Sequence, residues 1–149
     1  MISAISFTTK DIRLALGGIS RSRIHSWAQL PPFMLNETTE RSARRFNSID
    51  LLTFAAIFVL EDEYGIKSNQ VGRFSLGIHQ YFTETGPTGT LELVFIRLRD
   101  GLVIPVHQPE EAGFILDITK IRERINIFLG VSSPQGQLPL MIKYGNLSK

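Results

Sequence analysis

One short stretch of the sequence combines side chains that recognise nucleic acids. Residues 20–26 read Ser-Arg-Ser-Arg-Ile-His-Ser. In a helix, Ile24 would point to one side and the polar members to the other, namely Arg21, Ser22, His25 and, in part, Arg23. Arginine makes paired hydrogen bonds to guanine, and serine or histidine can contact bases or phosphates. The spacing therefore predicts a helix that presents a polar face to DNA.

Three more arginines follow about twenty residues later: Arg41, Arg44 and Arg45. They would attract phosphates whatever the DNA sequence, whereas the helix residues would recognise bases. The charge distribution favours this division of roles. Residues 1–49 carry seven Lys/Arg and three Asp/Glu, a net charge of +4, and the remaining residues carry nine and eleven, a net charge of −2. The modest total of +2 therefore conceals a basic first third.

The residues around this stretch predict two short helices joined by a turn. Thr8 is followed three residues later by Asp11, the pattern of a capping box at a helix start. The pair Gly17-Gly18 ends that helix, and Ser20 is a good N-cap for a second helix that runs to about Leu30, before two prolines. This arrangement is the outline of a helix-turn-helix.

Residues 31–47 carry no helical period and predict an irregular hairpin or wing. We expect Ser48 to cap a long helix that ends near Tyr64. Its segment 51–60 is apolar on nearly every side, which is typical of a central buried helix. The acidic run 61–63 is expected to face solvent.

A fourth helix follows, with Val71, Phe74, Ile78 and Phe82 on one face. Beyond it we predict strands at 90–99, 102–107 and 113–117, a turn at Asp100-Gly101, and a helix from Thr119 to Gly130. The expected fold class is α+β, a mostly helical winged helix-turn-helix followed by a small strand-strand-helix module. We place the DNA-binding domain at 1–82, a linker at 83–89 and the module, for dimerisation or an effector, at 90–149.

The sequence lacks the signatures of several functional classes. Without cysteine it has no disulfide, cysteine-ligated zinc or thiol nucleophile. It shows no glycine-rich phosphate loop, nucleophile elbow or metal motif, and His25, His79 and His107 are scattered. We therefore expect no catalytic residue, cofactor or metal. The longest apolar stretch is too short to cross a bilayer and no secretion signal is evident, so we expect a cytoplasmic protein with no membrane partner.

The ordered set of motifs over about residues 5–82 resembles the N-terminal domain of MerR-like winged-helix DNA-binding proteins. The matching stretches are Thr9–Ile12, Gly18–Ser20, Ile24–Trp27, Arg44–Phe46, Ser48–Leu51 and Tyr64–Lys67 with Val71. The resemblance implies a dimer on a pseudo-palindromic site. It also implies DNA contacts by Arg21, Ser22, Arg23, His25 and Ser26, and by the wing residues Arg41, Arg44 and Arg45. The chain departs from the family in continuing into strands instead of a long dimerisation helix.

These patterns lead to the hypothesis of a sequence-specific transcriptional regulator that binds double-stranded DNA as a homodimer. The C-terminal module would dimerise, bind a protein partner or sense a small molecule. One alternative is an excisionase-like architectural protein that bends DNA, which a bending assay would distinguish. An alternative from another class is a protein-interaction or ligand-binding module, which would bind no DNA even at low salt.

Overall fold

The computed structural model describes residues 6–33, 45–86, 92–106 and 111–130. These residues form five helices and a three-stranded antiparallel sheet, so the expected α+β class is confirmed. The elements are α1 (Thr9–Ala15), α2 (Arg21–Trp27), α3 (Ser48–Asp62), α4 (Gly72–Thr85), β1 (Leu93–Arg97), β2 (Val103–Pro105), β3 (Gly113–Asp117) and α5 (Ile118–Leu129). Within these ranges, no helix combines the length and apolar character needed to span a membrane.

The first two helices begin where their capping residues indicate. The Thr8 hydroxyl accepts the Asp11 N–H at 3.2 Å, and the Asp11 carboxylate accepts the Thr8 N–H at 2.8 Å, which completes the predicted capping box. Gly17 and Gly18 both have positive φ, 81° and 86°, where residues with a Cβ would be strained. The hydroxyl of Ser20 accepts the N–H of Arg23 and caps α2 as expected.

Helix α2 is shorter than the sequence indicated. It ends at Trp27, and residues 28–30 form tighter turns in which Gln29 and Leu30 bond to the carbonyls three residues before them. Proline has no N–H and does not continue a regular helix, so the chain leaves the helical path before Pro31-Pro32.

Helix α3 lies at the centre of the described core. Its N-cap is Asn47, not Ser48. The Asn47 amide oxygen accepts the Asp50 N–H at 2.8 Å, and the Asp50 carboxylate in turn accepts the Asn47 N–H. All residues of 51–60 except Phe58 and Val59 are buried, which confirms the central position. The ring of Phe54 contacts three other aromatic rings, those of Trp27, Phe33 and Phe46.

Helix α4 buries the expected face, with Val71, Phe74, Ile78 and Phe82 all inside the core. It begins at Gly72, later than expected, because residues 68–71 form a turn. It also continues through Thr83–Thr85, the first residues of the predicted linker. His79 contacts α3, with its Nε2 atom 2.9 Å from the Asp50 carboxylate. Helices α3 and α4 are therefore joined by a polar contact as well as by apolar packing.

The sheet has the order β2-β1-β3, with both pairs antiparallel. Asp100 and Gly101 do lie in the connection between β1 and β2, but this connection is longer than the predicted two-residue hairpin. Strand β1 ends at Arg97, residues 98–100 form turns, and the Gly101 N–H, at φ 72°, donates to the Arg97 carbonyl oxygen at 2.7 Å. Val94 and Ile96 of β1 face the core, whereas Leu93 lies on the outer face beside the exposed Ile115 of β3. Alternate residues of a strand point to opposite faces, so Phe95 lies on the same outer face as Leu93. It is nevertheless only 5% exposed, so that face is buried in part.

Helix α5 returns from the sheet to the N-terminal helices. Asp117, two residues before the expected Thr119, caps it, and Gly130 ends it with φ 75°. Its buried Ile121 and Ile125 belong to one apolar cluster that includes residues from all five helices. The division of the chain at 83–89 stays a prediction, while the core of the described residues is continuous across it.

The β1–β2 turn approaches α4 backbone to backbone. A Cβ on Gly77 would lie 2.2 Å from the Gly101 carbonyl oxygen, and a Cβ on Gly101 would lie 2.3 Å from the Arg73 carbonyl oxygen. Backbone atoms cannot rotate away as the end of a side chain can. The sheet therefore docks on α4 only because both positions lack a side chain.

We expect Gly77→Ala to lower the free energy of unfolding by about 1–3 kcal/mol, because the added methyl group must push the turn away from α4. Urea denaturation measures the loss. Gly72→Ala in the same helix is the matched control, since its Cβ would meet only the movable Leu30 Cδ2 atom at 3.0 Å. Equal losses in the two variants would contradict the close approach as the cause.

Candidate nucleic-acid interface

Helix α2 has two opposite faces of different chemistry. Ile24 and Trp27 are each only 1% exposed and pack into the core. The opposite face carries four exposed side chains that the sequence assigned to DNA: Arg21, Ser22, His25 and Ser26. The structure thus brings these four together on one surface. Helical spacing predicted this for Arg21, Ser22 and His25, whereas Ser26 was expected from the resemblance.

The turn between α1 and α2 is fixed by hydrogen bonds to its backbone. The Arg13 Nε atom donates to the Ile19 carbonyl oxygen at 2.8 Å, and the N–H of Gly18 donates to the Arg13 carbonyl oxygen at 2.7 Å. Ile12 and Leu16 are buried beneath the turn. Residues of α1 therefore help to fix the path from α1 to α2.

Arg23 occupies a different position from the other polar residues of α2. Its Nε and Nη2 atoms donate to one Glu61 carboxylate oxygen at 3.1 and 2.9 Å, and Nη2 also pairs with Asp62. Its guanidinium carbon lies 5.4 Å from the ring centre of Trp27 and 5.2 Å from that of Phe58. Arg23 is therefore engaged with α3 along most of its length.

The surroundings of Arg23 keep it charged. Partial burial lowers the pKa of the guanidinium, but the hydrogen bonds with Asp62 and Glu61 outweigh this effect, and the net pKa lies above its usual value. A charged guanidinium on an aromatic face gains a further cation–π attraction. Arg23 consequently acts as a permanent cationic link between α2 and α3.

Glu61 also accepts a hydrogen bond from a second residue of α2. Its other carboxylate oxygen accepts the Trp27 indole N–H at 3.1 Å. The Glu61 side chain is only 7% exposed, so the expectation that residues 61–63 face solvent was wrong for this residue, although Asp62 and Glu63 are exposed. A nearly buried carboxylate needs such donors because its desolvation is otherwise costly.

The wing arginines are only partly covered by the structure. Arg41 and Arg44 lie outside the described residues, whereas Arg45 is exposed. Its neighbour Phe46 is buried and exchanges two backbone hydrogen bonds with Phe7, at 2.7 and 2.9 Å. Because Phe7 directly precedes the capping residue of α1, this pairing holds Arg45 next to the start of α1.

Two residues that support this surface were not singled out from the sequence, Glu61 and Arg124. A weak signal existed for Glu61, which lies two helical turns after Phe54 and so shares its face of α3. Phe54 stacks on the ring of Trp27, and Glu61 accepts the indole N–H of the same residue. Arg124 carried no comparable signal, because its hydrogen-bond partner lies in α1, far away in sequence.

Comparisons with known proteins add no assignment, since the chain matches no family model, no curated protein and no solved structure. Among the described residues, no group of three or more histidine or acidic side chains is placed to hold a metal ion.

Glu61→Ala should lower the free energy of unfolding by about 1–3 kcal/mol, because it leaves the buried Trp27 N–H without an acceptor and Arg23 without its main partner. Chemical denaturation measures this loss. Glu63→Ala removes the same charge from an exposed position two residues away and should change stability by less than about 0.5 kcal/mol. Similar small effects in both variants would show that the Glu61 contacts contribute little.

Proposed function

We propose that this protein is a sequence-specific DNA-binding transcriptional regulator whose α1–turn–α2 unit is a helix-turn-helix, with residues 31–47 as its wing. The observation that carries the proposal is the exposed face of α2, where Arg21, Ser22, His25 and Ser26 lie opposite a fully buried face. The resemblance to MerR-like winged-helix proteins belongs to the same proposal.

The size of α2 suits a DNA groove. An α-helix with its side chains is about 10–12 Å in diameter, and the major groove of B-form DNA, about 12 Å wide, admits such a helix. Arg21 is the residue best suited to paired hydrogen bonds with guanine, since its guanidinium carries donors in a planar fork. Ser22, His25 and Ser26 would contact neighbouring bases or phosphates.

The other basic residues take different roles in this proposal. Arg23 donates hydrogen bonds to Glu61 and so holds α2 against α3. In this proposal it does not contact bases. Arg45, together with Arg41 and Arg44 outside the described residues, would contact phosphates and fix the orientation of the protein on the duplex.

A homodimer on a pseudo-palindromic site completes the proposal. Leu93 and Ile115, on the sheet face opposite Val94 and Ile96, are 49% and 45% exposed. In this proposal a second copy of the chain would bury this apolar surface. Sedimentation equilibrium tests this part, and a monomer at high concentration would contradict it.

Arg21→Ala should weaken binding to the preferred duplex by roughly 1–3 kcal/mol and relax the preference at one base pair. The measurement is a selection of bound sequences from random DNA, followed by titration of the enriched duplex with wild type and variant. Failure of the wild type to enrich any sequence, or unchanged affinity in the variant, would overturn the proposed function.

Arg45→Ala should instead weaken binding to all duplexes and reduce the slope of log affinity against log salt by about one unit, as expected for one lost phosphate contact. Titrations at several salt concentrations measure the slope. Arg73→Ala removes an equal charge from an exposed position on α4 and serves as the control. A similar change of slope in the control would mean that only total charge matters.

A further inference from the structure

We propose that α5 positions the DNA-reading helix, with Arg124 as the positioning residue, so that the C-terminal module is part of the DNA-binding unit. This inference rests on the proposed function and adds a role for the sheet and α5. Its first support is a contact at the turn of the helix-turn-helix. The Arg124 Nε atom donates to the Ala15 carbonyl oxygen at 3.3 Å, across 109 residues of sequence.

Ala15 is the last residue of α1, where carbonyl oxygens lack helical partners. A cation there satisfies the carbonyl and also interacts favourably with the negative end of the helix dipole. The Arg124 Nη2 atom also lies only 3.6 Å from the position that a Cβ on Gly17 would take. Arg124 therefore contacts the turn at the point where the chain leaves α1 for α2.

The second support is a shared aromatic ring. The guanidinium carbon of Arg124 lies 5.0 Å from the ring centre of Phe58, and that of Arg23 lies 5.2 Å from the same centre. Two like charges this near one another would repel. Glu61 and Asp62 compensate one of them through their bonds to Arg23. Phe58 of α3 thus connects α5 to α2.

The third support is that α5 is itself firmly attached to the sheet and to α4. The Ile118 N–H donates to the Glu92 carbonyl oxygen at 3.1 Å, where β1 begins. The buried Arg122 donates to the Thr85 hydroxyl at 2.7 Å and to the Gly86 carbonyl oxygen at 3.1 Å, where α4 ends. A change in the C-terminal module would therefore be transmitted to Arg124, and through it to the turn.

The test compares Arg124→Ala with Arg124→Lys and with the control Arg73→Ala. We expect Arg124→Ala to weaken binding to the enriched duplex roughly 2- to 30-fold, the range found for coupling residues away from a ligand. The salt slope should stay that of wild type, since Arg124 contacts no phosphate. Arg124→Lys, which keeps a cation near the Ala15 carbonyl, should recover part of the affinity. Arg73→Ala should have the affinity of wild type once any difference caused by its own salt slope has been subtracted.

Trp27 provides a readout in the free protein, because it is the only tryptophan in the chain. Its emission should change in Arg124→Ala, through Phe58 and Arg23, and stay unchanged in Arg73→Ala. A reduced salt slope in Arg124→Ala would identify a phosphate contact and overturn the positioning role. So would wild-type affinity, or an unchanged Trp27 emission.

A double-mutant cycle keeps the inference testable if Arg124→Ala is poorly stable or if the protein binds no DNA. The unfolding constants of Arg23→Ala, Arg124→Ala and the double variant should be non-additive by roughly twofold or more, because both residues contact Phe58. Additive effects would overturn the connection between α5 and α2. If wild type enriches no DNA sequence, the proposed function fails, while the cycle and the Trp27 emission still decide whether α5 positions α2.

Discussion

The placement of α2 on α3 depends on the carboxylate of Glu61. This group is almost removed from water, and three N–H donors replace the lost hydration, two from Arg23 and one from Trp27. Both donor residues belong to α2, whereas the acceptor belongs to α3. A displacement of α2 on α3 that left these groups buried would deprive both the Glu61 carboxylate and the Trp27 indole N–H of their hydrogen-bond partners. The cost would be several kcal/mol. Apolar packing of Ile24 alone would allow α2 to slide or rotate, but directional bonds to one carboxylate hold it in a single orientation.

That orientation determines which side chains of α2 reach solvent. With Trp27 bonded to Glu61 and Arg23 lying along Phe58, the remaining polar side chains have no partner surface on α3 and face outward. The contacts that Trp27 and Arg23 make with α3 therefore determine which side chains of α2 form its exposed polar face. A helix of seven residues is too short to be stable alone in water. Its structure depends on the capping hydroxyl of Ser20 and on these contacts, so the interface and the stability of α2 share the same residues.

Much of the fold follows from local sequence because its determinants are close neighbours. Thr8 and Asp11 satisfy each other's backbone groups within one turn, and the sequence at Asp100-Gly101 marks the position of the β1–β2 connection, although not its length. The role of Arg23 could not be predicted in this way. Helical spacing placed it at the boundary between the two faces of α2, and the residue that decides its direction, Glu61, lies 38 residues further on. Contacts of this kind depend on how the elements pack, which the periodicity of a single helix does not specify.

The same limit applies to the relation between the two halves of the chain. A glycine-proline stretch at 83–89, followed by a change from helical to alternating hydrophobic period, is typical of a linker between domains. Yet α4 carries the docking site for the β1–β2 turn at Gly77, and Arg122 and Arg124 of α5 bond to the end of α4 and to the end of α1. Two domains joined only by a linker would have separate cores, whereas here α5 buries Ile121 and Ile125 in the cluster that also holds α2. The strand-strand-helix module therefore packs on the same core as α1 and α2, and a change in the module has a short physical route, through Arg124 and Ala15, to the turn that precedes α2.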